Sequence, residues 1–160
     1  MRAARTTAAL TLLATLATGA AGCSSAAPHP RDPGPAPGPR PLQAAGVASR
    51  EFGLLAGGGW AQAWTLWSDS ARGALSQADF VRLNTECPPA LGQPYVIDST
   101  TQVDDSTVRV DWHRAAASGS DTLVYESGSW RFEPDAASLA GYRLGVERLV
   151  AQRKAEGACH

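Results

Sequence analysis

Two side chains able to act as a general acid and base lie one residue apart, Asp111 and His113 in the run Thr107-Val108-Arg109-Val110-Asp111-Trp112-His113-Arg114. A carboxylate beside an imidazole can pass a proton near neutral pH if a water-poor pocket holds both. Asp98 is a further acid to consider with them. The strict alternation of the run argues the other way. If Val108, Val110 and Trp112 turn inward, then Arg109, Asp111 and His113 face solvent, with Glu126 as a ready neighbour. A second pattern is aromatic. Trp60, Trp64 and Trp67 fall at i, i+4 and i+7, which on one helix lines three indoles along a face. Such a stripe is either a wall for a ligand or a core face packed on a sheet. Tyr95 and Tyr125 are the candidates for interior hydroxyls.

The elements that must position these residues follow a leader and a spacer. Residues 1–22 carry Arg2 and Arg5, an apolar stretch from Ala8 to Ala17, and the small residues Gly19-Ala20-Ala21-Gly22 before Cys23. This resembles a bacterial lipoprotein signal, with Ala20 where Leu is commonest. The resemblance implies cleavage before Cys23 and acylation of its thiol, hence a membrane anchor on the extracytoplasmic side. The apolar stretch is well short of the ~20 residues needed to span a bilayer. Residues 23–41 are rich in proline and hold no large apolar side chain after the cysteine, so they read as an extended tether.

Residues 42–160 are enough for one domain with one core. The chain has 14 Lys and Arg against 15 Asp and Glu. Two of the basic residues, Arg2 and Arg5, sit in the leader, so nothing favours a nucleic-acid partner. A helix is expected from Leu42 to Ala56, ended by Gly57-Gly58-Gly59. No Lys-Ser/Thr follows these glycines, which removes a phosphate cradle. The three tryptophans predict a second helix. Ser76-Gln77-Ala78-Asp79 resembles a capping box and predicts a third from Gln77 to Glu86, stopped by Pro88-Pro89. Period-two segments then predict four antiparallel strands. They start at Tyr95-Val96-Ile97, Thr107, Thr122 and Trp130, with Ala117–Ser120 as a loop. A final helix is expected from Asp135 to about Lys154.

Cys87 and Cys159 are the remaining cysteines. In an exported chain they predict a disulfide. With His160 they offer at most three metal ligands and no CxxC spacing, so no metal site is expected. No serine-hydrolase, zinc-protease, calcium-loop or dinucleotide motif is present, and no cofactor is expected.

Helices followed by a four-stranded meander ending in YESGSWRF resemble the NTF2-like α+β cone, a look common among small exported lipoproteins of high-GC Gram-positive bacteria. Gly128-Ser129-Trp130 matches the Gly-x-Trp turn of that family. The fold expected is therefore α+β, with N-terminal helices on a curved four-stranded antiparallel sheet and an added C-terminal helix. Function is expected to be non-catalytic: an envelope lipoprotein binding a small apolar ligand or a partner protein. The alternatives are an isomerase or dehydratase using Asp111 and His113 in the cone, and a structural subunit of an envelope assembly.

Overall fold

A computed structural model describes residues 38–160; Cys23, the leader and all but the last few residues of the tether lie outside them. Over the described residues the chain is α+β: four helices, a four-stranded antiparallel sheet in the order β1-β2-β3-β4, and two short C-terminal helices. Among the described residues no helix is long and apolar enough to cross a membrane.

Helix α1 (Pro41–Gly57) begins on the proline that closes the tether, whose fixed φ suits a first helical position. It ends where Gly58 takes φ +78° and returns its N–H to Leu54 O. Ala44, Ala48, Glu51 and Phe52 form its buried stripe. Alanine at two of these positions lets the helix lie close on the sheet. The tryptophan segment departs from the single helix that its spacing predicts. Helix α2 runs only from Trp60 to Trp64. Trp67 then forms a parallel bridge with Phe132, with Ser68 N donating to Phe132 O at 2.9 Å and Phe132 N to Leu66 O at 2.8 Å. Pairing with the sheet edge satisfies more backbone than another helical turn would, and it covers an edge that would otherwise be open.

Ser68 caps α3 (Asp69–Ala74), and Ser76 caps α4 (Gln77–Glu86), accepting from Asp79 N at 3.1 Å while donating to Asp79 Oδ2 at 2.8 Å. The capping-box reading of the sequence therefore sets the start of α4. At its end, Cys87 joins Cys159, with Cα atoms 4.7 Å apart and a sequence separation of 72. Closing a loop of that length restrains the unfolded chain by at most about 4 kcal/mol.

Strand β1 (Val96–Asp104) pairs with β2 (Thr107–Arg114), which pairs with β3 (Ala117–Glu126), which pairs with β4 (Ser129–Glu133). Residues 117–120, read from the sequence as a loop, belong to β3. The hairpin turns instead at Ala115-Ala116, with Ala115 at φ +50°, so the small polar residues are paired opposite Arg114 to Asp111. The expected last helix is two, α5 (Ala136–Tyr142) and α6 (Val146–Ala155). They are separated at Gly145, whose φ of +85° a helix cannot carry.

Candidate functional site

Between α1, α4, the inner sheet face and the C-terminal helices lies a cavity of about 300 Å³. Alternation along β2 turns Val108, Val110 and Trp112 to the inner face, where Trp112 lines the cavity, and register places Val110 opposite Asp121 and Trp112 opposite Gly119. A Cβ on Gly119 would sit 2.6 Å from the Trp112 ring, so this glycine is what lets the indole lie flat across β3. Helix α1 supplies Glu51, Phe52 and Leu55, the tryptophan segment Trp60 and Trp67, and α4 Phe80 and Asn84. Tyr95, just before β1, stacks on Phe52 (centroids 4.8 Å, planes 10° apart) and meets Trp112 edge-on at 4.9 Å. Trp67 stacks on Tyr142 at 5.3 Å. The half-buried Pro89, Asp135, Ser138 and Arg153 and the buried Phe132 and Pro134 also line it. A smaller space of about 250 Å³ lies behind the Phe52–Tyr95 stack, against Ser49, Gly53 and Ile97.

Two carboxyl groups stand in this aromatic wall. Glu51 has no exposed surface. Its Oε1 accepts a 2.9 Å hydrogen bond from Trp67 Nε1, while Oε2 is buried with no hydrogen-bond partner among the described residues. Burial pushes its pKa up to about 8; the Trp67 bond opposes that and the Asp121 charge adds to it. Asp121 is also buried, but both its oxygens are used. Oδ2 accepts from Trp112 Nε1 at 2.7 Å, and Oδ1 from the backbone N–H of Asp135 at 3.0 Å. Burial raises it to about 6 against these bonds. Tyr142, desolvated in the same wall, is pushed above the ordinary phenol range.

Of the residues singled out by sequence, Trp60, Trp67 and Tyr95 line this cavity. Trp64 and Tyr125 do not. Trp64 donates to Leu75 O at 2.8 Å beneath the Arg72 guanidinium, and Tyr125 packs edge-on against Trp130. Asp111 and His113 lie on the opposite sheet face, their side chains 33% and 46% exposed. Each has its own partner: Asp111 takes Arg109 at 2.7 Å and Ser99 at 2.7 Å, and His113 Nδ1 meets Asp98 Oδ1 at 2.7 Å. Hydrogen bonds from Ser99 and Arg109 hold the Asp111 carboxyl below its ordinary range. The imidazole and the cavity do not meet.

Sequence reading passed over Glu51 and Asp121, although both carry a positional signal. Glu51 follows Ala44 and Ala48 on the stripe that buries Phe52 and Leu55. Asp121 stands two residues before Leu123, on the inward side of β3, which begins at Ala117 and not at the Thr122 that the alternation predicts. Among the described residues no group of three or more His, Cys, Asp or Glu is placed to hold a metal. No known family matches the chain, and no curated protein matches it.

Proposed function

We propose that this is a lipid-anchored protein of the cell envelope, held at the extracytoplasmic face through Cys23, whose NTF2-like domain binds a small, largely apolar molecule without transforming it. The observation that carries this reading is the aromatic-walled cavity of about 300 Å³, at the lower end of the ligand-site range. It has the expected build: large rings for contact area and a few fixed polar groups for orientation. The tether and the Cys87–Cys159 bond suit a domain held off a membrane in an oxidising compartment.

Binding is favoured over catalysis because Asp121 is engaged on both oxygens. That leaves the Glu51 carboxyl without a partner of complementary role in the cavity. A second reading, a single-base enzyme acting through Glu51, is supported by the upward displacement of that group beside an open cavity. Native mass spectrometry of the full chain, purified in detergent from the cells that make it, tests the first reading. A small-molecule adduct is expected, absent from Ser138→Phe, which fills the rim. A bare mass in both would overturn it, and an adduct that turns over in wild type but not in Glu51→Gln would replace it with the second.

A further inference from the structure

We infer that the molecule bound in the cavity carries a cationic nitrogen, a small substituted or quaternary ammonium group, met by the Glu51 carboxylate and packed against the aromatic rings around it. The inference rests on the ligand-binding reading above and narrows its chemistry. Three observations carry it.

The first is the unpartnered Glu51 Oε2, enclosed in the cavity wall. A buried polar atom so placed costs free energy until something meets it, and a purely apolar occupant would leave it unmet. The second is the kind of wall. Phe52, Tyr95 and Trp112 form one contiguous set of rings, in which Tyr95 already holds the Arg114 guanidinium 4.8 Å from its centroid, and Trp67 with Tyr142 another. Ring faces attract cations, more strongly where water is excluded. The third is the charge census of the lining. Glu51, Asp121 and Asp135 are acidic, against the single guanidinium of Arg153 among the described lining residues. Asp121 and Asp135 are committed to backbone and side-chain donors. Arg153 is half-buried at the rim, whereas Glu51 is fully enclosed. Arg153 makes no ion pair among the described residues, so the lining sets three carboxyl groups against one free guanidinium, and the unpartnered carboxyl oxygen is held in the aromatic wall.

Binding would proceed with loss of the Glu51 proton to solvent, leaving a carboxylate beside the ammonium ion. The other ionisable groups facing Glu51 are Asp121 of β3, Asp135 before α5, Tyr142 of α5 and Arg153 of α6. Asp121, raised to about 6, is ionised before Glu51 is, while the Asp135 carboxyl is drawn down and the Tyr142 phenol pushed up, away from neutrality. A cation should therefore bind more tightly as pH rises, about tenfold between pH 7 and pH 9 for a group with a pKa of about 8.

The test is a titration of the full chain with choline and with its neutral isostere 3,3-dimethylbutan-1-ol, read by tryptophan fluorescence. Both carry the same hydroxyl and bulk, so the difference isolates charge. Choline is expected to bind at least ~10-fold more tightly at pH 8.5. The pH series is expected to show the rise just given, and Glu51→Gln is expected to remove that rise and most of the choline preference, leaving what the rings supply. Equal binding of the two probes, or a choline preference undiminished by Glu51→Gln in a folded variant, would overturn the inference. A flat pH series in the wild-type chain would overturn it too, whether or not the variant folds. If neither probe binds while mass spectrometry still finds an adduct, the cationic assignment fails and the cavity reading stands. If no adduct is found either, both fail.

Discussion

The two faces of the sheet carry the same residue type in opposite circumstances. Asp121 on β3 and Asp111 on β2 are near neighbours in adjacent strands, opposite Val110 and Ser120 respectively. Asp111 lies among exposed partners, and hydrogen bonds from Ser99 and Arg109 draw its pKa down. Asp121 also has two donors, yet burial outweighs them and its pKa rises to about 6. Hydrogen bonding alone does not decide which acid holds a proton; the water it has lost does. Glu51, facing Asp121 across the cavity with only one donor, carries this furthest. The outer face makes paired charges of little energetic weight. The inner face holds acids that are poised.

The largest effect that sharpens the contrast is on stability against pH. Glu51 binds its proton more tightly folded than unfolded, with a pKa of about 8 against an ordinary 4.5. The native state therefore holds an extra proton between those values, and stability falls as pH rises through that window. The loss is on the order of 3–5 kcal/mol for a fully buried group. Urea unfolding from pH 4.5 to 9 should show the decline, with Asp121 contributing over its lower part, and Glu51→Gln should flatten it. Next in size, Asp121→Ala strands Trp112 Nε1 and the Asp135 N–H and should cost about 2–4 kcal/mol by the same measurement. Gly119→Ala, which drives a methyl into the Trp112 ring, should cost about 1–3 kcal/mol and shift the tryptophan emission. The smallest effect is on the other face. Asp111→Ala and His113→Ala should leave the unfolding midpoint and ligand binding unchanged, and a large loss from either would erase the distinction between the faces.

Much of this arrangement is legible in the sequence. The alternation in residues 107–114 assigns the sheet faces and places Asp111 and His113 on the outer one. The Ser76 box marks the start of α4, and the two downstream cysteines predict their own bond. What is not legible arises where tertiary pairing overrides local period. Trp67 leaves its helix because the β4 edge offers Phe132. Residues 117–120 join β3 because β2 extends beside them. Gly145 breaks a helix whose apolar spacing continues across it. The site itself was hidden by residue type. An acid on an otherwise apolar stripe reads as a surface residue until the structure closes around it, and Glu51 and Asp121 are both of that kind.

The measurement that bears most directly on the account is a carbon-13 NMR titration of the Glu51 carboxyl in the ligand-free chain. A midpoint near 8, with Asp121 titrating separately near 6, is the expected result. A Glu51 midpoint at the ordinary 4.5 would mean that water reaches the carboxyl freely, and the poised inner face would not exist.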